Sequence, residues 1–232
     1  MPRGEISSGR HKKRHPYDWY VDEPWCARQL ADALYGFTLE QEAGEAIWDP
    51  CCGSGRTMDT FVERGHEVYL SDIVCNVDWS LFEGGEAEWP VFFGADFLER
   101  ESAPAPCSIV GNPPYSYRKV QGVLISELFA RHALKLTARR VCLLLPSKWL
   151  ASQSRYRLFT EHPPIAVLHL CQRPSMPPGD RIEAMGNRAF RGGMVDYCWI
   201  VWDVTRPARL GETRTVWLPP LGSPITPIEA LA

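Results

Sequence analysis

The 232-residue chain sets 25 Lys and Arg against 28 Asp and Glu, for a net charge of -3, and is 45% hydrophobic. That length supports one domain with a proper core, and the near-neutral balance argues by itself against a general nucleic-acid binder. No apolar run approaches the roughly 20 residues that span a bilayer, and the eight cysteines form no C-x-x-C pair, a poor framework for zinc or disulfides.

Residues 1–15 hold Arg3, Arg10, Lys12, Lys13 and Arg14 and lack the apolar core of a signal peptide. They read as a mobile basic arm, equally a phosphate contact or a solubilising tail. Tyr17, Trp19 and Tyr20 lie between Pro16 and Pro24, and residues 25–36 look helical, with Leu30 and Leu34 on one face and Gly36 as a stop. A short strand at 46–48 runs into Asp49-Pro50-Cys51-Cys52-Gly53-Ser54-Gly55. A helix follows, with Met58, Phe61 and Val62 on one face and Gly65 past its end. In a strand, glycine loop and helix, backbone N–H groups can approach a ligand with no side chain in the way. The next strand, 66–71, ends at Asp72, 19 residues after Gly53, the spacing at which an acid can hold ribose hydroxyls. A strand from Val91 ends in Asp96 and Phe97, which could accept from an exocyclic amine and pack on a ring. Asp96 reads equally as a helix N-cap, and Phe97 as a core residue.

The apolar run 107–110 meets Gly111-Asn112-Pro113-Pro114-Tyr115. Two prolines cannot donate to a sheet ladder, so the strand stops at Asn112. The stiff turn presents an amide, a free carbonyl and an aromatic ring, which suits a planar group carrying an NH2. A plain proline turn with a half-buried Tyr is the alternative. Residues 118–138 read as a helix, with Val120, Leu124 and Leu128 repeating every four. Strand 141–145 leads into Pro146-Ser147-Lys148-Trp149 and a helix to about Thr160; strands 165–170 and 197–204 follow. Between them, 171–194 is a long basic loop without periodicity, the kind that carries function more often than packing. From 207 the chain is proline-rich and reads as a tail extended along the surface.

Charge is segregated. Residues 40–101 carry 15 acidic and 3 basic residues, whereas 118–157 carry 9 basic and 1 acidic. A positive face beside the proline turn would attract a polyanion; solvated helix faces are the competing explanation. Alternating strands and helices imply an α/β fold, a seven-stranded mostly parallel sheet with helices on both faces. Ligands then sit beyond the carboxyl ends of the strands, where Asp49, Asp72, Asp96 and Asn112 all fall. The expected organisation is the arm at 1–15, one domain over 16–206 with 171–194 as an inserted loop, and the tail at 207–232. Cysteines buried in apolar strands point to a reducing cytoplasm.

Asp49-Pro50-x-x-Gly53-x-Gly55 together with Asn112-Pro113-Pro114-Tyr115 resembles the S-adenosylmethionine-dependent amino-methyltransferases, above all the adenine-specific DNA methyltransferases. The order of the motifs resembles the gamma class, and the strand around Asp196 to Asp203 looks like small phage or prophage members. The resemblance implies a Rossmann-like class I methyltransferase fold and S-adenosylmethionine as cofactor. Gly53 and Gly55, with Pro50 and Cys51, would line the loop beside the methionine part, and Asp49 would engage the amino group through water. Asp72 would hold the ribose with Ile73 against the adenine, Asp96 and Phe97 would frame the adenine edge, and Tyr20 is carried over from the N-terminal segment. Asn112, Pro113, Pro114 and Tyr115 would receive a target adenine flipped from double-stranded DNA. Arg118, Lys119, Lys148, Arg173, Arg181, Arg188 and Arg191 are the candidate nucleic-acid contacts, and no metal is called for. RNA amino-methylation, glutamine methylation and a non-catalytic cofactor-binding scaffold remain the alternatives.

Overall fold

The computed structural model describes residues 17–76, 91–115, 119–120 and 122–231. The basic arm, the connection carrying Trp79 and Trp89, and Arg118 lie outside the described residues.

Helix α1 (Pro24–Ala33) and the short α2 (Thr38–Ala43) precede strand β1 (Ala46–Asp49), then α3 (Arg56–Val62), β2 (Val68–Asp72), β3 (Val91–Phe93) and β4 (Cys107–Gly111). A two-stranded hairpin, β5 (Lys119–Val120) and β6 (Val123–Leu124), leads into α4 (Ile125–Leu136) and β7 (Arg140–Pro146). Helix α5 (Tyr156–Glu161), β8 (Ala166–Leu170), β9 (Tyr197–Asp203) and β10 (Arg214–Leu218) complete the order. The large sheet runs β10-β8-β9-β7-β4-β1-β2-β3. Only β9 opposes the others, lying antiparallel to both β7 and β8. Chain order reverses between β1 and β4, so Asp49 and Asn112 flank the switch point where a doubly wound sheet opens a crevice.

Alternation across the strands builds two cores. Ile47 joins Leu30, Phe37 and Phe61 on one face, whereas its neighbour Trp48 joins Phe97, Phe129 and Leu143 on the other. This is the period-two pattern of a sheet covered on both sides. At the opposite end of the strands from the crevice, Glu40 (0% exposed) and Arg140 (1% exposed) form a buried ion pair at 3.3 Å. Ser108 Oγ donates to Glu40 at 2.8 Å and accepts from Arg140 N at 2.9 Å, tying α2, β4 and β7 together. Removing one partner strands the other charge in the core. Glu40→Ala is therefore expected to lower unfolding free energy by about 3–5 kcal/mol, as read by urea denaturation.

Two expectations need correction. The sheet has eight strands, not seven: residues 214–218 of the supposed surface tail pair in parallel with β8, and Ile228 N donates to Ala33 O at 2.9 Å while Leu231 is buried. The helix expected over 118–138 begins only at Ile125, because Gly122 turns at φ +84° and residues 119–120 pair with 123–124 as a hairpin. Glycine adopts that left-handed backbone without steric penalty. Among the described residues no helix is long and apolar enough to cross a membrane.

Candidate active site

Two clefts of opposite charge meet at the proline turn. The first lies over the ends of β1, β2 and β4 and is lined by Asp18, Asp22, Asp49, Asp72 and Asp96 against one cation among its described lining residues, Arg56. The second is lined by Lys148, Arg155, Arg188 and Arg191, with no acid among its described lining residues. Asn112 and Pro114 face the first, Tyr115 faces the second, and Tyr20 lines both.

In the acidic cleft the glycine loop is shaped by its neighbours. Gly53 sits at φ +53°, and a Cβ there would come 2.9 Å from Trp19 Nε1, so only glycine lets the indole lie against the loop. Gly53 N donates to Asp72 Oδ2 at 2.8 Å, and Val74 N donates to Asp72 Oδ1 at 3.2 Å. The second-strand acid thus braces the loop it was expected to face. Asp49 (2% exposed) accepts through Oδ1 from Cys51 N at 3.0 Å and from the Cys51 thiol at 3.4 Å. A Cβ on Gly111 would stand 2.6 Å from that same oxygen, so glycine at the end of β4 makes room for the carboxylate. Burial lifts the Asp49 carboxyl to about 8, opposed by its bonds from Cys51 and reinforced by Asp22 and Asp72. Burial raises Asp22 and Asp72 as well; the Thr57 hydroxyl and the Asn112 amide hold Asp22 down, and backbone N–H groups hold Asp72 down.

The proline turn follows β4 directly. Tyr115 Oη donates to Asn112 Oδ1, while Asn112 Nδ2 makes long contacts to Tyr20 O at 3.5 Å and Met176 Sδ at 3.9 Å. The amide oxygen expected to stand open is thus engaged by the phenol of its own turn. Tyr115 packs near Tyr197, with ring centroids 6.1 Å apart. Its backbone carbonyl accepts from Ser126 Oγ at 2.9 Å. The basic loop, which lines the second cleft, is pinned by the N-terminal segment that lines the first. Val21 N donates to Pro177 O (3.0 Å), Gly179 N to Trp19 O (3.1 Å) and Ser175 N to Glu23 Oε2 (2.7 Å). Within that loop the chain makes a short helix, Ile182–Met185, flanked by single turns at Gly179–Arg181 and Gly186–Arg188.

Most of the residues singled out in the sequence converge. Tyr20, Asp49, Pro50, Cys51, Gly53, Asp72, Ile73, Asp96, Phe97 and Asn112 all line the acidic cleft. Gly55 does not; at φ +78° it is the residue that turns the chain into α3. Pro113 is buried and lines neither cleft. Asp96 Oδ1 caps the turn Phe97–Glu99 by accepting from Leu98 N at 3.0 Å, and Phe97 packs on Phe129 with centroids 4.3 Å apart. Both therefore serve the structural roles weighed for them while bordering the cleft. Of the candidate cations, Lys148, Arg188 and Arg191 line the basic cleft. Arg173 instead pairs with Asp196 at 2.6 Å, and Lys119 and Arg181 are exposed outside the cleft. Sequence reasoning passed over Asp22, which takes a 2.8 Å bond from Thr57 Oγ1 inside the acidic cleft. Standing before a proline-led helix, it resembles an ordinary cap. Trp19 and Arg155 were missed too.

No family model and no curated protein matches the sequence. Solved structures do match the fold. A protein from Listeria monocytogenes assigned as a class I S-adenosylmethionine-dependent methyltransferase superposes with a TM-score of 0.59, over 90% of this chain and 68% of that one, at 11% identity. A protein from Pyrococcus horikoshii assigned as an RNA methyltransferase gives 0.52, over 83% and 90%, at 15% identity. The chain has the Rossmann-like class I methyltransferase fold, carrying one strand more than expected.

Proposed function

We propose that the chain is an S-adenosylmethionine-dependent methyltransferase acting on the exocyclic amino group of adenine in DNA. The observation that carries this reading is the pair of oppositely charged clefts meeting at Asn112-Pro113-Pro114-Tyr115. S-adenosylmethionine bears a sulfonium and an ammonium, which suits a cleft whose described lining carries five acids and one guanidinium, a bound cation favouring the ionised form of those acids. Bound there, it supplies an electrophilic methyl group. Asp49 would face the ammonium, Asp72 would take ribose hydroxyls on the lone pairs left by Gly53 N and Val74 N, and Ile73 and Phe97 would border the adenine.

A nucleic-acid strand suits the basic cleft better than a neutral glutamine side chain does. The target base must leave its stack, at a cost of a few kcal/mol, and resting on Tyr115 would offset roughly 1–3 kcal/mol of that. To receive the amino group, Asn112 Oδ1 must exchange the Tyr115 phenol for an N–H of the base. The Pro113 carbonyl would accept the second hydrogen. Drawing both hydrogens toward acceptors turns the nitrogen lone pair away from the ring and toward the methyl group, an interaction strongest in the transition state. No covalent intermediate is needed.

The test is tritiated methyl transfer to plasmid DNA, total RNA and a glutamine-bearing peptide. Label recovered as N6-methyladenine from DNA is the expected result. Label confined to RNA or peptide would reassign the acceptor, and label in none would overturn the reading.

A further inference from the structure

Arg155, for which the sequence alone indicates no function, is unlike the other described cations of the basic cleft. It is 5% exposed and lines the basic cleft, whose volume is about 760 Å³. Its Nε donates to Trp149 O at 2.6 Å, and its guanidinium carbon lies 4.6 Å from the centre of the Trp149 ring. Its Nη nitrogens have no protein partner among the described residues, and no carboxylate there lies within ion-pair distance. Glu127 acts on it only from farther away and is itself paired with Arg131 at 3.2 Å. A largely buried cation without a carboxylate at ion-pair distance is ordinarily compensated, and the Arg155 Nη nitrogens are not sealed in the core but open on the cleft, where a ligand can reach them. Lys148, Arg188 and Arg191 are exposed and solvated, and need no such partner.

Arg155 is also fixed to the proline turn. Trp149 Nε1 donates to Ser126 Oγ at 2.9 Å, and Ser126 Oγ donates to Tyr115 O at 2.9 Å. The ring that stacks under the guanidinium is therefore held by the same hydroxyl that holds Tyr115. We infer that Arg155 is an anion subsite of the acceptor cleft, its guanidinium fork binding a phosphate group of the strand whose base rests on Tyr115. A planar fork with free Nη donors matches two phosphate oxygens. The inference rests on the nucleic-acid reading above.

The test titrates a short fluorescein-labelled oligodeoxyadenylate by anisotropy, with phosphodiester or methylphosphonate linkages. Arg155→Gln is expected to weaken the phosphodiester strand about tenfold and lower the salt slope by about 0.7. The neutral strand is expected to bind the variant and the native protein equally. Unchanged affinity, or equal loss on both backbones, would overturn the subsite and leave Arg155 a packing residue. If the variant does not fold, the native protein is titrated with strands carrying one methylphosphonate at a time. One position costing about tenfold supports the subsite; small uniform losses overturn it. Displacement of the strand by equimolar AMP would assign the anion to a free nucleotide and overturn the strand reading. Methyl transfer to the same strand is scored separately. Methylation without Arg155 dependence removes the subsite alone, whereas Arg155-dependent binding with no methylation of any acceptor removes the methyltransferase reading alone.

Discussion

Asn112→Ala is expected to lower kcat for methyl transfer by about 10²–10³-fold, while donor affinity stays within about threefold. The asymmetry follows from where Asn112 sits. Its amide nitrogen makes long contacts, at 3.5 Å to Tyr20 O and 3.9 Å to Met176 Sδ, and also steadies the Asp22 carboxyl, so truncating it releases contacts within the cleft and leaves the sheet untouched. Its oxygen is held by the Tyr115 phenol, a partner that the target amine of the proposed reaction would have to displace. Losing the oxygen therefore removes an acceptor the transition state needs and the donor does not. Tyr115→Phe provides the matched control. It keeps the ring facing the basic cleft, deletes the competing hydroxyl, and is expected to leave kcat within a few-fold of the native value. Single-turnover methyl transfer combined with calorimetric titration of S-adenosylmethionine separates the two effects. Native-like turnover in Asn112→Ala would remove the amide from the chemistry.

That turn was legible in the sequence because its signals are local. Two prolines after an apolar run can end a strand in few ways, and the glycines after Asp49 demand a loop that no packing context overrides. The acids at the ends of β1 and β2 were legible for the same reason. What escaped depends on distant partners. β10 is five residues, Arg214 to Leu218, mostly exposed, and becomes a strand only because β8 offers an unpaired edge. The repeat of Val120, Leu124 and Leu128 imitates a helix face, but Gly122 at φ +84° decides for a hairpin. Gly94 at φ +81° likewise ends β3 before Asp96, which turns that acid into a cap. Charge was the least legible property. Arg155 and Arg173 look alike in sequence, yet one is buried with no described carboxylate at ion-pair distance and the other is paired on the surface with Asp196, 23 residues further on. Whether a cation awaits a ligand depends on burial and pairing, and neither is written in local sequence.

Asp49→Asn is expected to weaken the pH dependence of stability and to reduce a proton release on donor binding. The Asp49 carboxyl, lifted by burial to about 8, starts from an ordinary value of 3.8 in the unfolded chain. Between those values the folded protein retains a proton that the unfolded chain gives up. Stability of the ligand-free protein therefore falls as pH rises through that window, by up to about 1.4 kcal/mol per pH unit from this group. Above about 8 both states are ionised and this contribution to the slope ends. Asp22 and Asp72, also raised by burial, add slope of the same sign, so the substitution reduces the dependence without erasing it. Asparagine can still accept from Cys51 N through its amide oxygen, so the loop after β1 keeps its anchor. A cation bound beside Asp49 reverses the balance by favouring the carboxylate. Calorimetry near neutral pH, in buffers of differing ionisation enthalpy, is then expected to record release of up to about one proton by the native protein and clearly less by Asp49→Asn. Equal release in the two proteins would mean that the donor's charge lies away from Asp49, and the acidic cleft would have to hold it through Asp22 or Asp72 instead.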